Sequence, residues 1–116
     1  MTRYENAARM ARDEARARRA VLIVTRTAYD AARIMTALED VLRPRDGDAR
    51  LLNGMGLWSA ESPAWGTGRI AVRVAGPIVR GHQCDTLLLA ADLTPTRAEE
   101  AWHCATGAAC PVRARW

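Results

Sequence analysis

Arg80-Gly81-His82-Gln83-Cys84-Asp85-Thr86-Leu87-Leu88-Leu89-Ala90-Ala91-Asp92 is the stretch on which the fold turns. A polar turn leads into Thr86 to Ala90, a run that is apolar without alternation and closes on an acid. A strand with one face in water would alternate, so this run reads as a strand covered on both faces. Ala20-Val21-Leu22-Ile23-Val24-Thr25 has the same character and is rich in β-branched residues. Two such strands imply a parallel sheet, which needs crossover connections and therefore helices on its faces.

The rest of the chain supplies those helices. Thr2-Arg3-Tyr4-Glu5 has the spacing of a capping box, in which hydroxyl and carboxylate satisfy the exposed donors of a helix start. A helix from about Arg3 to Arg19 follows, with Tyr4, Ala7, Ala8, Ala11 and Ala15 on one narrow face and Arg9, Arg12, Arg16 and Arg19 away from it. Thr27 offers the next N-cap, before a wide apolar stripe of Tyr29, Ala32, Met35 and Leu38 with Ala31, Ile34, Val41 and Leu42 that stops short of Pro44. Thr94-Pro95 opens a third helix with Ala98, Ala101, Trp102 and Ala105 buried, ending by Gly107. Arg69 to Val74 alternates, as an edge or half-buried strand would. Pro111 to Ala114 has room for a final short strand. Between Ala49 and Gly68, glycine and proline break every pattern but a short Leu51-Leu52 run, and a long surface loop is expected. The fold class is thus α/β: one domain over 1–116, three layers, with a small mostly parallel sheet flanked by helices.

Composition narrows the function. The chain has 116 residues, and all 17 of its Lys and Arg residues are arginine. Without a lysine to reach phosphates, a phosphate-binding loop of the usual kind is excluded. Net charge is +4, which favours a polyanionic partner without demanding one. No apolar run reaches membrane-spanning length and no signal peptide is legible, so a cytoplasmic protein is expected. Three cysteines, an odd number, argue for reduced thiols.

In order along the chain, Val21-Leu22-Ile23-Val24-Thr25 with its following helix, then Arg69-Ile70, Val79-Arg80-Gly81, Asp85 and Leu87-Leu88-Leu89, resemble the RecA-like ATPase core of phage terminase large subunits and superfamily 2 helicases. The likeness covers roughly residues 20 to 105. In that family an Arg-Gly turn leads through an Asp into a strand that ends in an Asp-Glu pair, which holds Mg²⁺ and polarises the attacking water. Here that pair falls on Ala90 and Ala91, with Asp92 out of register. A second register matches the C-terminal helicase lobe and brings Arg113 or Arg115 near the arginines that stabilise the transition state, but it leaves Gln83 where an acid is expected. The resemblance implies a P-loop-like remnant that grips nucleic acid without hydrolysing ATP, takes no cofactor, and suits a phage-encoded accessory protein.

Arginine forks match phosphates bidentately, and open α/β sheets bind ligands beyond the carboxyl ends of their strands. Arg26, Thr27, Arg73 and Arg80 are therefore the candidate phosphate or nucleic-acid contacts, with DNA, RNA or a nucleic-acid-processing complex as partner. Asp92 and Thr94 lie at a second strand end. An alternative of another class is a protein-interaction module in which Met55, Leu57, Trp58 and Trp65 form an apolar anchor. The same tryptophans could equally fold back over a thin alanine core. A zinc site from His82, Cys84, His103, Cys104 and Cys110 lacks paired ligand spacing, and core thiols are the better account. Cys84 with His103 and Asp85 or Asp92 lacks the sharp glycine-flanked turn that presents a nucleophile. No catalytic or metal-binding residue is expected.

Overall fold

In a computed structural model that describes residues 2–42, 49–54, 57–76, 84–105 and 112–116, the two apolar runs lie side by side at the centre of a sheet. The elements in order are α1 (Arg3–Arg16), β1 (Ala20–Thr25), α2 (Ala28–Val41), β2 (Arg50–Gly54), β3 (Leu57–Glu61), a 3₁₀ turn (Pro63–Trp65), β4 (Arg69–Val74), β5 (Thr86–Leu89), α3 (Pro95–Ala105) and β6 (Val112–Arg115). The six strands are ordered β2-β3-β4-β1-β5-β6. β1 pairs in parallel with β4 and β5, and β5 in parallel with β6. β3 runs antiparallel to both β2 and β4.

The sheet is therefore mixed, and the reason is the middle of the chain. Residues 50–54 and 57–61 pair as antiparallel strands where a surface loop is expected, and β3 pairs in turn with β4. Leu51 and Leu52 do lie in a strand. β4 is also more central than its alternation suggests, lying between β1 and β3 with Ile70 and Val72 fully buried. One face of the β3–β4 pair is closed and the other is open, which is what the alternation records.

Helices α1 and α2 pack against each other and onto the closed face of β1 and β4. Ala7, Ala8, Ala11 and Ala15 of α1 are completely buried, so at these positions the helix itself contributes nothing longer than a methyl to the core. The path from β1 through α2 to β2 crosses the sheet in one direction, and that from β5 through α3 to β6 in the other. With right-handed crossovers, α3 then lies on the opposite face from α2. It packs against β5, burying Ala98 and Ala101. Trp102 and Ala105, assigned to the same stripe, have side chains outside the described residues.

The helix starts follow the sequence closely. The Thr2 hydroxyl accepts from the Glu5 amide and the Thr27 hydroxyl from the Asp30 amide. α1 stops at Arg16, and Arg18 turns through a left-handed backbone conformation (φ 66°) into β1. Thr67 holds that turn by donating to the Arg18 carbonyl. Next to it, Gly68 passes so close to α1 that a Cβ there would lie 2.0 Å from the Ala15 carbonyl oxygen. Gly68→Ala should destabilise the fold by about 2 kcal/mol, because backbone and not a flexible side chain must move. Urea denaturation monitored by tryptophan fluorescence measures this as a lower midpoint at unchanged slope.

Candidate functional site

The parallel strands β1, β4, β5 and β6 release their carboxyl ends at one edge of the sheet, where α1, α2 and α3 all begin. Thr25 ends β1 fully buried, its hydroxyl donating to the Thr27 carbonyl at 3.0 Å. This holds the backbone in the sharp turn from strand to helix and pushes Arg26 outward. Arg26 is exposed, with 59% of its side chain accessible, and its Nε donates to Asp92 Oδ2 at 3.0 Å. The two meet because β1 and β5 are neighbours in register, Val24 opposite Leu89.

Asp92 also accepts from Arg3 Nη2 at 3.3 Å. Partial burial works to raise the Asp92 carboxyl, but the hydrogen bonds from Arg3 and Arg26 and the charge of Arg3 outweigh it, leaving the group below its ordinary value. Arg3 lies 4.8 Å over the Trp116 ring and 5.3 Å over that of Tyr4, and 3.7 Å from Asp30. The Tyr4 hydroxyl donates to Asp30 at 2.7 Å, which together with burial raises its pKa above 10.0. Arg33 covers the same tyrosine ring at 5.5 Å. Trp116 is buried, its indole donating to the Leu88 carbonyl, while Arg115 reaches back to the Ala91 carbonyl at 3.2 Å.

Four guanidiniums, from Arg3, Arg26, Arg33 and Arg115, thus surround two carboxylates, Asp30 and Asp92. Tyr29, at the start of α2, does not join the buried stripe to which its spacing assigned it, nor does Ala32: Tyr29 is 68% exposed. A groove of about 320 Å³ continues from this edge between α1 and β6, lined by Arg3, Asn6, Arg9, Asp13, Arg115 and Trp116. Ala90 and Ala91 occupy the end of β5, and Asp92 beyond them is held by the two arginines.

The expected site residues distribute unevenly. Arg26 and Thr27 are at the edge, Thr27 with its hydroxyl committed to capping α2. Arg73 does not join them: it is only 9% exposed and its Nη1 donates to the carbonyls of Trp58 and Val72. Its burial lowers its pKa. Arg80 lies outside the described residues. In the alternative set, Trp65 is 1% exposed inside the core and Trp58 is half-buried, while Leu57 is exposed and Met55 lies outside the described residues.

Asp85 closes the amino end of β5, accepting from the Ala20 amide at 2.8 Å. Cys84 is half-buried, and burial with the Asp85 charge pushes its thiol up to about 11, so at neutral pH it is protonated and a poor nucleophile. Among the described residues no three His, Cys, Asp or Glu side chains gather to hold a metal. His82 and Cys110, and the side chains of His103 and Cys104, lie outside them.

Arg3, Tyr4, Asp30 and Trp116 went unread as site residues because nothing local marks them. Arg3 and Tyr4 look like part of a helix start, and Arg3 and Asp92 are 89 positions apart. Comparison with known proteins gives no match: no family model, no curated protein and no solved structure matches the chain.

The Asp92 contacts predict a pH effect. Because folding lowers its pKa, ionised Asp92 contributes stability that is complete above its ordinary value of 3.8 and is lost as pH falls through the lower folded value. Asp92→Asn should cost no more than about 1 kcal/mol at neutral pH, given its exposure. The gap between variant and wild type should close in acid below that window, as read by denaturation midpoints at a series of pH values.

Proposed function

We propose that this chain is a non-catalytic, nucleic-acid-associated accessory protein that binds phosphate backbone at the carboxyl edge of its sheet. It is built on a domain that resembles terminase and helicase cores but carries alanine at the positions of their acidic pair. The observation that carries this reading is the gathering of Arg3, Arg26, Arg33 and Arg115 about the carboxylates of Asp30 and Asp92 at the edge where three helices begin. An excess of guanidinium there draws phosphates, and helix N-termini add to the positive field. Tyr29, exposed between Arg26 and Arg33, offers a ring on which an unpaired base can stack. Single-stranded nucleic acid fits this edge better than duplex for that reason.

Asp92 tempers the site. Arg26 and Arg3 are held in place by it, and a phosphate that engages them competes with its carboxylate. Binding is therefore modest and strongly dependent on salt.

Fluorescence anisotropy of labelled single-stranded and duplex DNA, and of an RNA of the same sequence, over about 50–200 mM salt tests this. Affinity should fall steeply with salt, and Arg26→Glu should weaken binding and flatten the salt slope by about one unit. Tyr29→Ala should weaken the single strand by roughly fivefold or more while changing the duplex little. Absence of binding to any of the three at the lowest salt would overturn the proposal. A protein-interaction role would then gain, and it has its own support in Leu52 and Leu57, exposed by 42% and 45% on the β2–β3 pair.

A further inference from the structure

Among the described residues, Arg73 is the one arginine that folding buries. Its Nη1 is satisfied by the Trp58 carbonyl at 2.6 Å and the Val72 carbonyl at 2.8 Å. Its Nε is buried with no acceptor, and no carboxylate among the described residues lies within ion-pair distance of it. Two carbonyls supply dipoles but no compensating charge, and an uncompensated buried cation is costly. Strand alternation sets Arg73 on the side of β4 with Arg69 and Ala71, away from α1 and α2. On that side lies a crevice of about 170 Å³ whose lining includes Leu22, Ser59, Ala71, Arg73 and Cys84 together with Glu61 and Arg69, which stand opposite each other on β3 and β4, so that the lining carries one guanidinium more than carboxylates.

We infer that this crevice binds a short aliphatic monocarboxylate, its two oxygens received on the Nε–Nη2 edge of Arg73 and its alkyl part laid on Leu22 and Ala71. The charge fits, since one uncompensated guanidinium takes one carboxylate. The shape fits, since the planar fork presents two parallel donors to two oxygens. The size fits, since the volume equals that of about five or six waters at roughly 30 Å³ each. Glu61 disfavours a dianion such as phosphate. Nε is buried, so seating the ligand takes a movement of the guanidinium toward the crevice. This site is separate from the carboxyl edge, and DNA binding bears on neither its presence nor its absence.

The test is an NMR titration of the ¹⁵N-labelled full chain, following the Arg73 Nε–H signal with acetate, propionate and butyrate at constant ionic strength, and with inorganic phosphate for comparison. The expected result is a saturable shift whose affinity rises about fourfold per added methylene, with phosphate weaker than butyrate. Arg73→Lys, which keeps the charge but loses the fork, should weaken butyrate by about tenfold or more by thermal shift. Ala71→Leu, which fills the crevice and leaves Arg73 in place, should abolish the response. An Arg73 signal unmoved by all three carboxylates overturns the inference. So does a shift that phosphate reproduces equally with no trend along the carboxylate series. Should Arg73→Lys fail to fold, the wild-type series and Ala71→Leu decide.

Discussion

The parallel pairing of β1 on both its edges is the constraint from which the rest of the molecule follows. A six-residue strand whose backbone is hydrogen-bonded to β4 on one side and β5 on the other cannot face water on either flank. The crossovers that parallel neighbours require put helices over its faces as well, and from Val21 to Thr25 all its side chains are buried. Parallel neighbours require that the chain cross over the sheet between them, and α2 with the β2–β3 pair fills the path from β1 to β4. The same pairing delivers Arg26 and Asp92 to one edge, because strands in register end together.

Helix α1 adapts to that sheet by being small. Phenylalanine is absent, and α1 meets the sheet through four alanines. A methyl-only face lets backbones approach closely, which makes a thin core with little apolar area per residue. The strands, α2 and one tryptophan supply the bulk: Leu22, Ile23, Ile34, Leu38, Ile70, Leu87, Leu88, Leu89 and Trp65 are among the largest fully buried side chains. Trp65 thus serves the core from the segment that looks least structured, and Gly68 beside it allows the close approach of β4 to the end of α1.

Arginine plays two opposite parts. At the carboxyl edge, Arg3 and Arg26 share a partly exposed carboxylate and Arg33 lies over a tyrosine ring, so their charges stay available to solvent and to a competing anion. Under the open face of β4, Arg73 is largely shielded from water, has no carboxylate within ion-pair distance among the described residues, and leans on backbone carbonyls. Screening separates the two: exposed charges interact weakly and in a salt-dependent way, whereas a buried charge acts at low dielectric and keeps its demand for a counter-charge.

The apolar runs at 20–25 and 86–90, the Thr2 and Thr27 caps and the alanine stripes were legible because each is local: periodicity and hydrogen-bond satisfaction act over a few residues. The α/β class and the central place of β1 and β5 follow from them. What tertiary structure decided was how distant pieces meet. It turned residues 50–54 and 57–61 into paired strands, because pairing with β4 satisfies backbone groups that a glycine-rich sequence leaves open. It buried Trp65 where either an exposed anchor or a folded-back tryptophan was readable, and it turned Arg73 away from Arg26. It assembled Arg3, Tyr4, Asp30, Asp92 and Trp116 from four regions of the chain. Side-chain chemistry along the sequence determines which elements form; which charges are compensated depends on distances between elements, and those exist only once the sheet has closed its register.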